Sequence, residues 1–423
     1  MFNSLEEFQA TIDAKVTESS KKYNDFYMFI KSNKGIHPID LMNSVERLYK
    51  KQKIDKTKYD LIKKSARRKI PVTEVDMLDV LPIPHLLDYD WRFSEEGLLY
   101  LTQKLESEIQ DGEATIVFMG TPSLFKYCDI NLKEKIKLVL IDINAKQYEN
   151  GINTKRAECT TINIEKEAQI FEKISADYII MDPPWYYNYY MLFFNRAAMM
   201  SRKDTYIYCI MPPLFTRFTA QSERNVLLKE ISWKYGFKKT HYYQGTVSYH
   251  TPPFEKNVLK EHGILSIPNN WRIGDLLIVQ KITEKKHYPV ETGIVCELNW
   301  VEETIQTVRF KLRYCCSNQD ITSYDISLNK VYSSEIYPSV KRSFSDKENI
   351  NVWTSGNRVF WCSNIPLLRF IIVHINDNLY DEILKSNTCL PNQAQFKNME
   401  SVKRQIWEIV ETEVEEYGPG WKI

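Results

Sequence analysis

Tyr178-Ile179-Ile180-Met181-Asp182-Pro183-Pro184-Trp185 is the stretch on which the reading turns. An apolar run of this length that stops at an acidic residue and two prolines reads as a short buried strand presenting its last residue at the carboxyl edge of a sheet, where open α/β sheets bind ligands. An amine nucleophile held there needs an acceptor for its N–H and a carbonyl aimed at the charge developing on nitrogen. Asp182 and the Pro183 carbonyl supply both. Pro183 and Pro184 fix φ and carry no N–H, so the carbonyls stay aimed. Trp185 adds a flat face for stacking a base or holding a cationic amine. The same tetrapeptide also serves as a plain strand-ending turn, because proline cannot continue a ladder. Taken alone, the two accounts stand level.

The upstream sequence tips the balance. Ala114 to Met119 (ATIVFM) reads as a buried strand ending in Gly120-Thr121-Pro122-Ser123, and Ile136 to Ile141 (IKLVLI) as another ending in Asp142-Ile143-Asn144. A glycine turn followed about 20 residues later by a carboxylate is how nucleotide-type cofactors are held, the glycine admitting the ligand to the backbone and the carboxylate taking ribose hydroxyls. A full G-x-G-x-x-G is absent. The ordered set of strand–Gly, strand–Asp and strand–DPPW points to an α/β, Rossmann-like domain. Just before it, Ser94-Glu95-Glu96 opens a capped helix with Leu98, Leu101 and Leu105 on one face. The aromatics at its entrance, Trp91 and Phe93, are placed to close over a cofactor.

With these residues in view, the chain from Asp88 to about Arg196 resembles the family of probable adenine-amino methyltransferases, which also includes lysine methyltransferases. Trp91-Arg92-Phe93-Ser94-Glu95-Glu96 stands where that family has a W-Y-S-x-E-T-like segment. Gly120-Thr121-Pro122-Ser123-Leu124-Phe125 stands for its C-P-S-L-Y loop, and Asp182-Pro183-Pro184-Trp185 for its D-P-P-F. The resemblance covers a quarter of the chain and stops near Met200. It implies a seven-stranded methyltransferase domain using S-adenosyl-L-methionine. Phe93, Ser94, Gly120, Thr121, Pro122, Asp142 and Asp182 would border the cofactor, and Asp182, Pro183, Pro184 and Trp185 would be catalytic. The tryptophan is similar to the D-P-P-W of messenger-RNA and DNA adenine methyltransferases, whose motif order is the opposite of this one. Branched-polyamine aminopropyltransferases are a second relative, similar in their D-P-P motif and N-terminal winged-helix-like segment. The carboxylates Asp88, Asp90 and Glu95 keep that alternative open.

Composition sets the outer bounds. The chain has 423 residues, 43% hydrophobic and 26% charged, with a net charge of +1. It is globular, long enough for two or three domains, and without a global field that recruits nucleic acid. The eight cysteines form no C-x-x-C pair, and the adjacent Cys315 and Cys316 are poorly suited to hold one zinc ion together. We therefore expect no metal, reduced thiols and a cytoplasmic protein. The start MFNSLEEFQ is acidic rather than signal-like, and no apolar run approaches membrane-spanning length.

Residues 1–82 read as a helical, possibly winged-helix-like domain. Its segment from Tyr49 to Lys69 is rich in Lys and Arg with only Asp55 and Asp60 opposing them, and such a run is more often a solvated face than a phosphate-binding one. Residues 83–284 form the Rossmann-like domain, completed by strands at Thr205 to Met211, Lys239 to Tyr243 and Asp275 to Lys281. Residues 285–423 form an α+β accessory domain with half-buried antiparallel strands near Thr307–Tyr314 and Val359–Cys362, and a helix from Ser401 to Tyr417 stopping at Gly418-Pro419-Gly420. Tyr186 and Tyr187, in a cluster running to Tyr190, are candidate acceptor-pocket residues or the start of a packed helix. His250 is a candidate substrate contact, although a lone loop histidine is more often surface. The expected activity is N-methyl transfer to an amine, adenine's in nucleic acid or a protein side chain's, in a possible homo- or hetero-oligomer. The alternatives are aminopropyl transfer to polyamines and a catalytically silent methyltransferase-like subunit.

Overall fold

A computed structural model describes residues 2, 4–69, 81–109, 112–149, 152, 154–165, 168–268, 270–284, 300–314, 320–340, 347–385 and 390–417. They belong to two compact units, Met1–Thr73 with Trp91–Thr251 and Gly263–Val295, and Glu74–Asp90 with Pro252–His262 and Cys296–Ile423. These units do not coincide with boundaries drawn at 82/83 and 284/285.

The first unit begins with α1 (Leu5–Lys22), α2 (Phe26–Ser32), α3 (Pro38–Lys50) and α4 (Lys56–Ala66). Among the described residues of 1–82 there is no strand, so they contain no wing. These helices are tied to the rest of the unit by named contacts. The Ala66 carbonyl accepts the N–H groups of Leu265 and Ser266 at 2.7 and 2.8 Å, and Phe8 stacks on Phe215 at 6.4 Å. The basic face is real: Lys53, Lys56, Lys64, Arg67, Arg68 and Lys69 are exposed and without an acidic partner among the described residues. Beside them Tyr49 and Tyr59 stack at 4.3 Å.

There follow α5 (Glu95–Ile109), β1 (Ala114–Met119), α6 (Pro122–Asn131), β2 (Ile136–Asp142), β3 (Ala157–Thr161), α7 (Ala168–Phe171), β4 (Ala176–Met181), α8 (Tyr187–Met200), β5 (Ser201–Met211), α9 (Ala220–Tyr235), β6 (Phe237–Ser248) and β7 (Ile273–Lys281). One seven-stranded sheet runs β3-β2-β1-β4-β5-β7-β6. β1 to β5 are parallel, and β7 lies antiparallel between β5 and β6. The central strands are near-continuous apolar runs because helices cover both faces; Ile116, Val117, Ile179, Ile180, Ile207 and Leu277 are all fully buried. Strand order reverses between β1 and β4, which opens the ligand crevice at their carboxyl ends. The α/β expectation of seven strands is met.

Two glycines fix local geometry. Gly236 ends α9 in the left-handed region at φ +69°, its N–H bonding the Ser232 carbonyl at 3.1 Å. Gly97, in the first turn of α5, lets that helix touch β6: a Cβ there would lie 2.4 Å from the Ser248 carbonyl oxygen.

The second unit contains α10 (Pro253–Glu261), β8 (Trp300–Ile305), β9 (Val308–Arg313), β10 (Leu328–Lys330), β11 (Val352–Thr354), β12 (Val359–Cys362), α11 (Ile365–Val373), α12 (Leu379–Lys385) and α13 (Gln393–Tyr417). An antiparallel sheet runs β10-β12-β11-β9-β8. The α+β expectation holds, but β9 is not half-buried: its alternate arginines are also inside, Arg309 neutralised by carboxylates and Arg313 bonded to the Glu348 carbonyl at 2.6 Å. Arg309, 3% exposed, pairs with Asp88 and Glu302, and Lys311 also reaches Asp88. α13 buries Val402, Ile406, Ile409 and Val410 as expected but starts earlier, at Gln393; Gly418 to Gly420 lie outside the described residues. Its fully buried Glu413 accepts bonds from the Gly356 N–H at 2.9 Å, from Thr354 and from Tyr417, and pairs with Arg358 at 3.3 Å.

Removing one partner of such a pair leaves a buried charge uncompensated, typically at ~3–5 kcal/mol. Arg358→Ala should therefore lower the stability of the full chain by about that much in urea unfolding, and Glu413→Gln added to it should recover part of the loss.

Candidate active site

β4 delivers Asp182 to the carboxyl edge, where its N–H still reaches the Met119 carbonyl of β1 at 3.4 Å. The chain then turns sharply, the Tyr186 N–H bonding the Pro184 carbonyl at 2.6 Å. Pro183 is buried and Trp185 packs partly against the core beneath the sheet edge.

Asp182 is met by residues from the far side of the sheet. The Tyr249 hydroxyl, just past β6, donates to Asp182 Oδ2 at 2.9 Å. Tyr249 is 1% exposed, tilted on Phe93 at 5.0 Å and edge-on to Trp185 at 5.9 Å. Immediately before β7, Arg272 places its guanidinium 3.7 Å over the Trp91 ring, 4.3 Å over Trp185 and 6.0 Å from Tyr249. Two indole faces thus hold one planar cation beside the carboxylate. Burial pushes the Asp182 carboxyl up to about 7, against the downward pull of the Tyr249 hydroxyl, the Arg272 charge and a hydrogen bond from Trp185.

Phe93 and Ser94 are buried behind this cluster. Phe93 forms an antiparallel bridge with Tyr249. The Ser94 N–H donates to the Ser248 carbonyl at 2.9 Å, and the two serine hydroxyls bond each other. Their visible work is to latch α5 to the end of β6 and so to set Tyr249. The His250 N–H bonds the Arg92 carbonyl at 2.9 Å while its side chain is partly exposed. Of the tyrosine cluster, Tyr189 and Tyr190 are core, Tyr190 donating to the Ile210 carbonyl at 2.9 Å. Burial and the neighbouring Glu230 of α9 push the Tyr187 phenol up to about 12, and Tyr186 lies 5.7 Å from the Arg217 guanidinium.

The cofactor side is built at the ends of β1 and β2. Gly120 has φ +65°, a left-handed turn that side chains rarely adopt, and its N–H bonds the Ile141 carbonyl at 3.1 Å. Thr121, 2% exposed, caps no N–H of α6, and its Oγ1 is buried without a partner among the described residues. Pro122 opens α6. Asp142 lies at the end of β2, oriented by the Asn144 N–H on its Oδ1 at 2.7 Å. A left-handed turn, an unpartnered hydroxyl and a fixed carboxylate around the crevice suit a nucleoside cofactor. Among the described residues Cys128, Cys159, Cys209 and Cys362 are free thiols, and burial pushes Cys128 up to about 12 and Cys159 to about 11. Cys315 and Cys316 lie outside the described residues.

Sequence reasoning passed over Tyr249 and Arg272. Both precede or follow strands with no motif, and only the antiparallel pairing of β6 with β7 brings them to Asp182, through the bond from the Tyr249 N–H to the Arg272 carbonyl at 3.0 Å.

The sequence model of the family described as Probable N6-adenine methyltransferase matches residues 88–191. That match supports an S-adenosylmethionine-dependent methyltransferase, with S-adenosyl-L-methionine as the cofactor of this site. No curated protein matches the chain significantly. Among solved structures, the branched-chain polyamine synthase of Thermus thermophilus in complex with N4-aminopropylspermidine and 5'-methylthioadenosine is 11% identical, covering 68% of this chain and 90% of that one at a TM-score of 0.49. Its C9 mutein gives 11%, 66%, 90% and 0.47. A putative RNA methyltransferase from Pyrococcus horikoshii gives 14%, 48%, 93% and 0.35. These likenesses are remote and carry nothing about the acceptor. Among the described residues no helix is long and apolar enough to cross a membrane.

Because the folded carboxyl titrates near 7 and an unfolded one near ~3.9, the native state keeps a proton that the unfolded chain gives up. The stability this provides is complete below ~4 and is lost as pH rises through 7. Asp182→Asn should accordingly raise the melting temperature at pH 8 and leave it nearly unchanged at pH 4. Tyr249→Phe, which removes a bond favouring the carboxylate, should move the Asp182 titration upward in carbon-13 NMR.

Proposed function

We propose that the first unit is an S-adenosylmethionine-dependent N-methyltransferase whose acceptor is the exocyclic amine of a nucleic-acid base, adenine's in the first instance. The observation that carries this reading is the slot between Trp91 and Trp185 beside Asp182. It holds a flat guanidinium now, and a planar amine-bearing ring suits it better than a tetrahedral alkylammonium. The exposed Lys and Arg face around α4, with the stacked Tyr49 and Tyr59, gives such a polymer a local charge to follow even though net charge is only +1. A duplex base would have to be unstacked to enter.

S-adenosyl-L-methionine, when bound, supplies an electrophilic methyl group. Gly120, Thr121, Pro122 and Asp142 would hold it. Tyr249 takes up one lone pair of Asp182 Oδ2, and the ionised carboxylate keeps capacity to accept an N–H of the acceptor. That hydrogen bond and the Pro183 carbonyl turn the nitrogen lone pair toward the crevice, so the residues contribute position and electrostatics rather than a covalent bond. Since the carboxylate is the working form, turnover should rise with pH through about 7.

Aminopropyl transfer to a polyamine is less well supported. It calls for an acidic acceptor pocket. Asp88 is committed instead to Arg309 and Lys311, which outweigh burial and hold its carboxyl well below the usual range, while Arg272 sets a positive charge beside Asp182.

Calorimetry with S-adenosyl-L-methionine and its decarboxylated form separates the readings. Binding of the intact cofactor, lost in Asp142→Ala, fits methyl transfer. Preference for the decarboxylated form moves the chain to polyamine chemistry, and binding of neither leaves a silent subunit. With labelled cofactor and adenine-containing oligonucleotides, Asp182→Ala should lower kcat by about 10²–10³-fold. Unchanged turnover in that variant overturns the catalytic role, and labelling of protein lysines but not oligonucleotides overturns the acceptor.

A further inference from the structure

We infer that Arg272 is a built-in plug of the acceptor slot: its guanidinium fills the space between Trp91 and Trp185, and the acceptor ring must displace it to reach Asp182. The inference rests on the acceptor site proposed above.

The backbone of Arg272 is fixed. Its carbonyl accepts the Tyr249 N–H at 3.0 Å, and the preceding Trp271 bonds the Pro268 carbonyl at 3.3 Å and meets His37 edge-on at 5.2 Å. The side chain beyond it is long, with several rotatable bonds, and ends in a planar, delocalised, permanently charged group. That group lies 3.7 Å from the centre of the Trp91 ring and 4.3 Å from that of Trp185, so the space over both rings is already taken. A base stacked on the Trp185 face that Arg272 covers needs the same space. Guanidinium and base compete for identical aromatic faces, one by cation–π attraction and the other by stacking.

The arrangement has a use beyond occupancy. With Arg272 in place, the walls of the slot are held apart and the Asp182 carboxylate has a counter-charge. When a ring displaces it, the charge swings away from the amine about to become positive. Only a ligand that stacks on both indoles repays the lost cation–π contacts, so small or aliphatic amines are turned away. By the same logic the slot is competent for only a fraction of the time, which weakens acceptor binding in proportion.

Kinetics of Arg272→Ala test this at pH 9, where Asp182 is ionised with or without the neighbouring charge. The plug predicts a KM for an adenine-containing oligonucleotide lower by about tenfold. It also predicts that tens of millimolar guanidinium inhibit the variant competitively and leave the wild type untouched. Restoration of a fallen kcat by guanidinium would overturn it, because Arg272 would then be a positioning residue for Trp185 or Asp182. An unchanged KM without guanidinium inhibition would overturn it too. Arg272→Lys, which keeps the charge without the plane, should give an intermediate KM and serves if the alanine variant folds poorly. A readout independent of methyl transfer keeps the two proposals apart. Saturable quenching of tryptophan fluorescence by guanidinium in Arg272→Ala, absent when Trp91→Ala is added, supports the plug even if no acceptor is ever methylated; no quenching overturns it even if methylation is found.

Discussion

Beyond the β5–β7 ladder, a side-chain hydrogen bond from the Tyr249 hydroxyl to Asp182 Oδ2 ties the antiparallel half of the sheet to the parallel half at its carboxyl edge. Asp182 belongs to the parallel half, at the end of β4; Tyr249 follows β6 in the antiparallel half. Much of the surrounding packing serves to bring these two atoms within reach. The Phe93 bridge and the Ser94–Ser248 bonds pin the strand end to α5, and Gly97 allows the helix to approach closely enough for those bonds to form. A larger residue at position 97 would push on the Ser248 backbone, one residue from the tyrosine that orients the carboxylate. What reads in sequence as a cap motif is therefore also a positioning device for a residue more than 150 positions away.

The charge on Asp182 is a balance of opposing effects rather than the product of one neighbour. Burial favours the neutral acid, and the Tyr249, Arg272 and Trp185 contacts favour the anion, leaving a carboxyl that changes state near neutrality. Such a group is costly to the fold at high pH, since the native state must then hold an anion in a poorly solvated place. Structural carboxylates in this chain are handled otherwise. Asp88 lies between Arg309 and Lys311, and Asp275 bonds the Gly245 N–H at 2.8 Å and Arg224 at 3.0 Å, with Tyr242 completing its shell. Among the described residues the cation acting on Asp182 is Arg272, spread across two tryptophans. Poor neutralisation at the mouth of a crevice is what supports the catalytic role proposed for Asp182.

The strands of the parallel half were legible because each is a compact apolar run closed by a turn residue: ATIVFM before Gly120, IKLVLI before Asp142 and YIIM before Asp182 all appear as β1, β2 and β4 with little shift. Local pattern suffices when a strand is buried on both faces. It failed where tertiary context assigns the role. Asp88 reads as part of the segment leading to the site, yet its partners come from β9, over 200 residues later. The tyrosines after Trp185 read as too polar for a core, and Tyr189 and Tyr190 are nonetheless inside, because Tyr190 finds the Ile210 carbonyl for its hydroxyl and Tyr189 is close to Glu165. Position 250 stands out in sequence as a histidine, while the side chain bonded to Asp182 is its neighbour at 249. Nothing in a single sequence announces that a β6–β7 hairpin folds back to complete a site opened by β1 and β4.

The acceptor proposed for the site rests on these particulars. An alkyl ammonium such as lysine's is protonated at neutral pH and must lose a proton before its nitrogen has a lone pair to offer, with a reference pKa of ~10.4. A carboxyl poised near 7 is a weak base for that task, and Arg272 alongside would make the approach of a second cation unfavourable. The amine of adenine is neutral and already carries its lone pair, partly delocalised into a flat ring. It needs orientation and an acceptor for one N–H more than it needs deprotonation, and the ring needs two faces to lie between. Asp182, the rigid Pro183 carbonyl and the paired indoles offer those things and little else. That Asp182 has no carboxylate among its hydrogen-bond partners in the described residues supports the proposed planar neutral amine over a polycation.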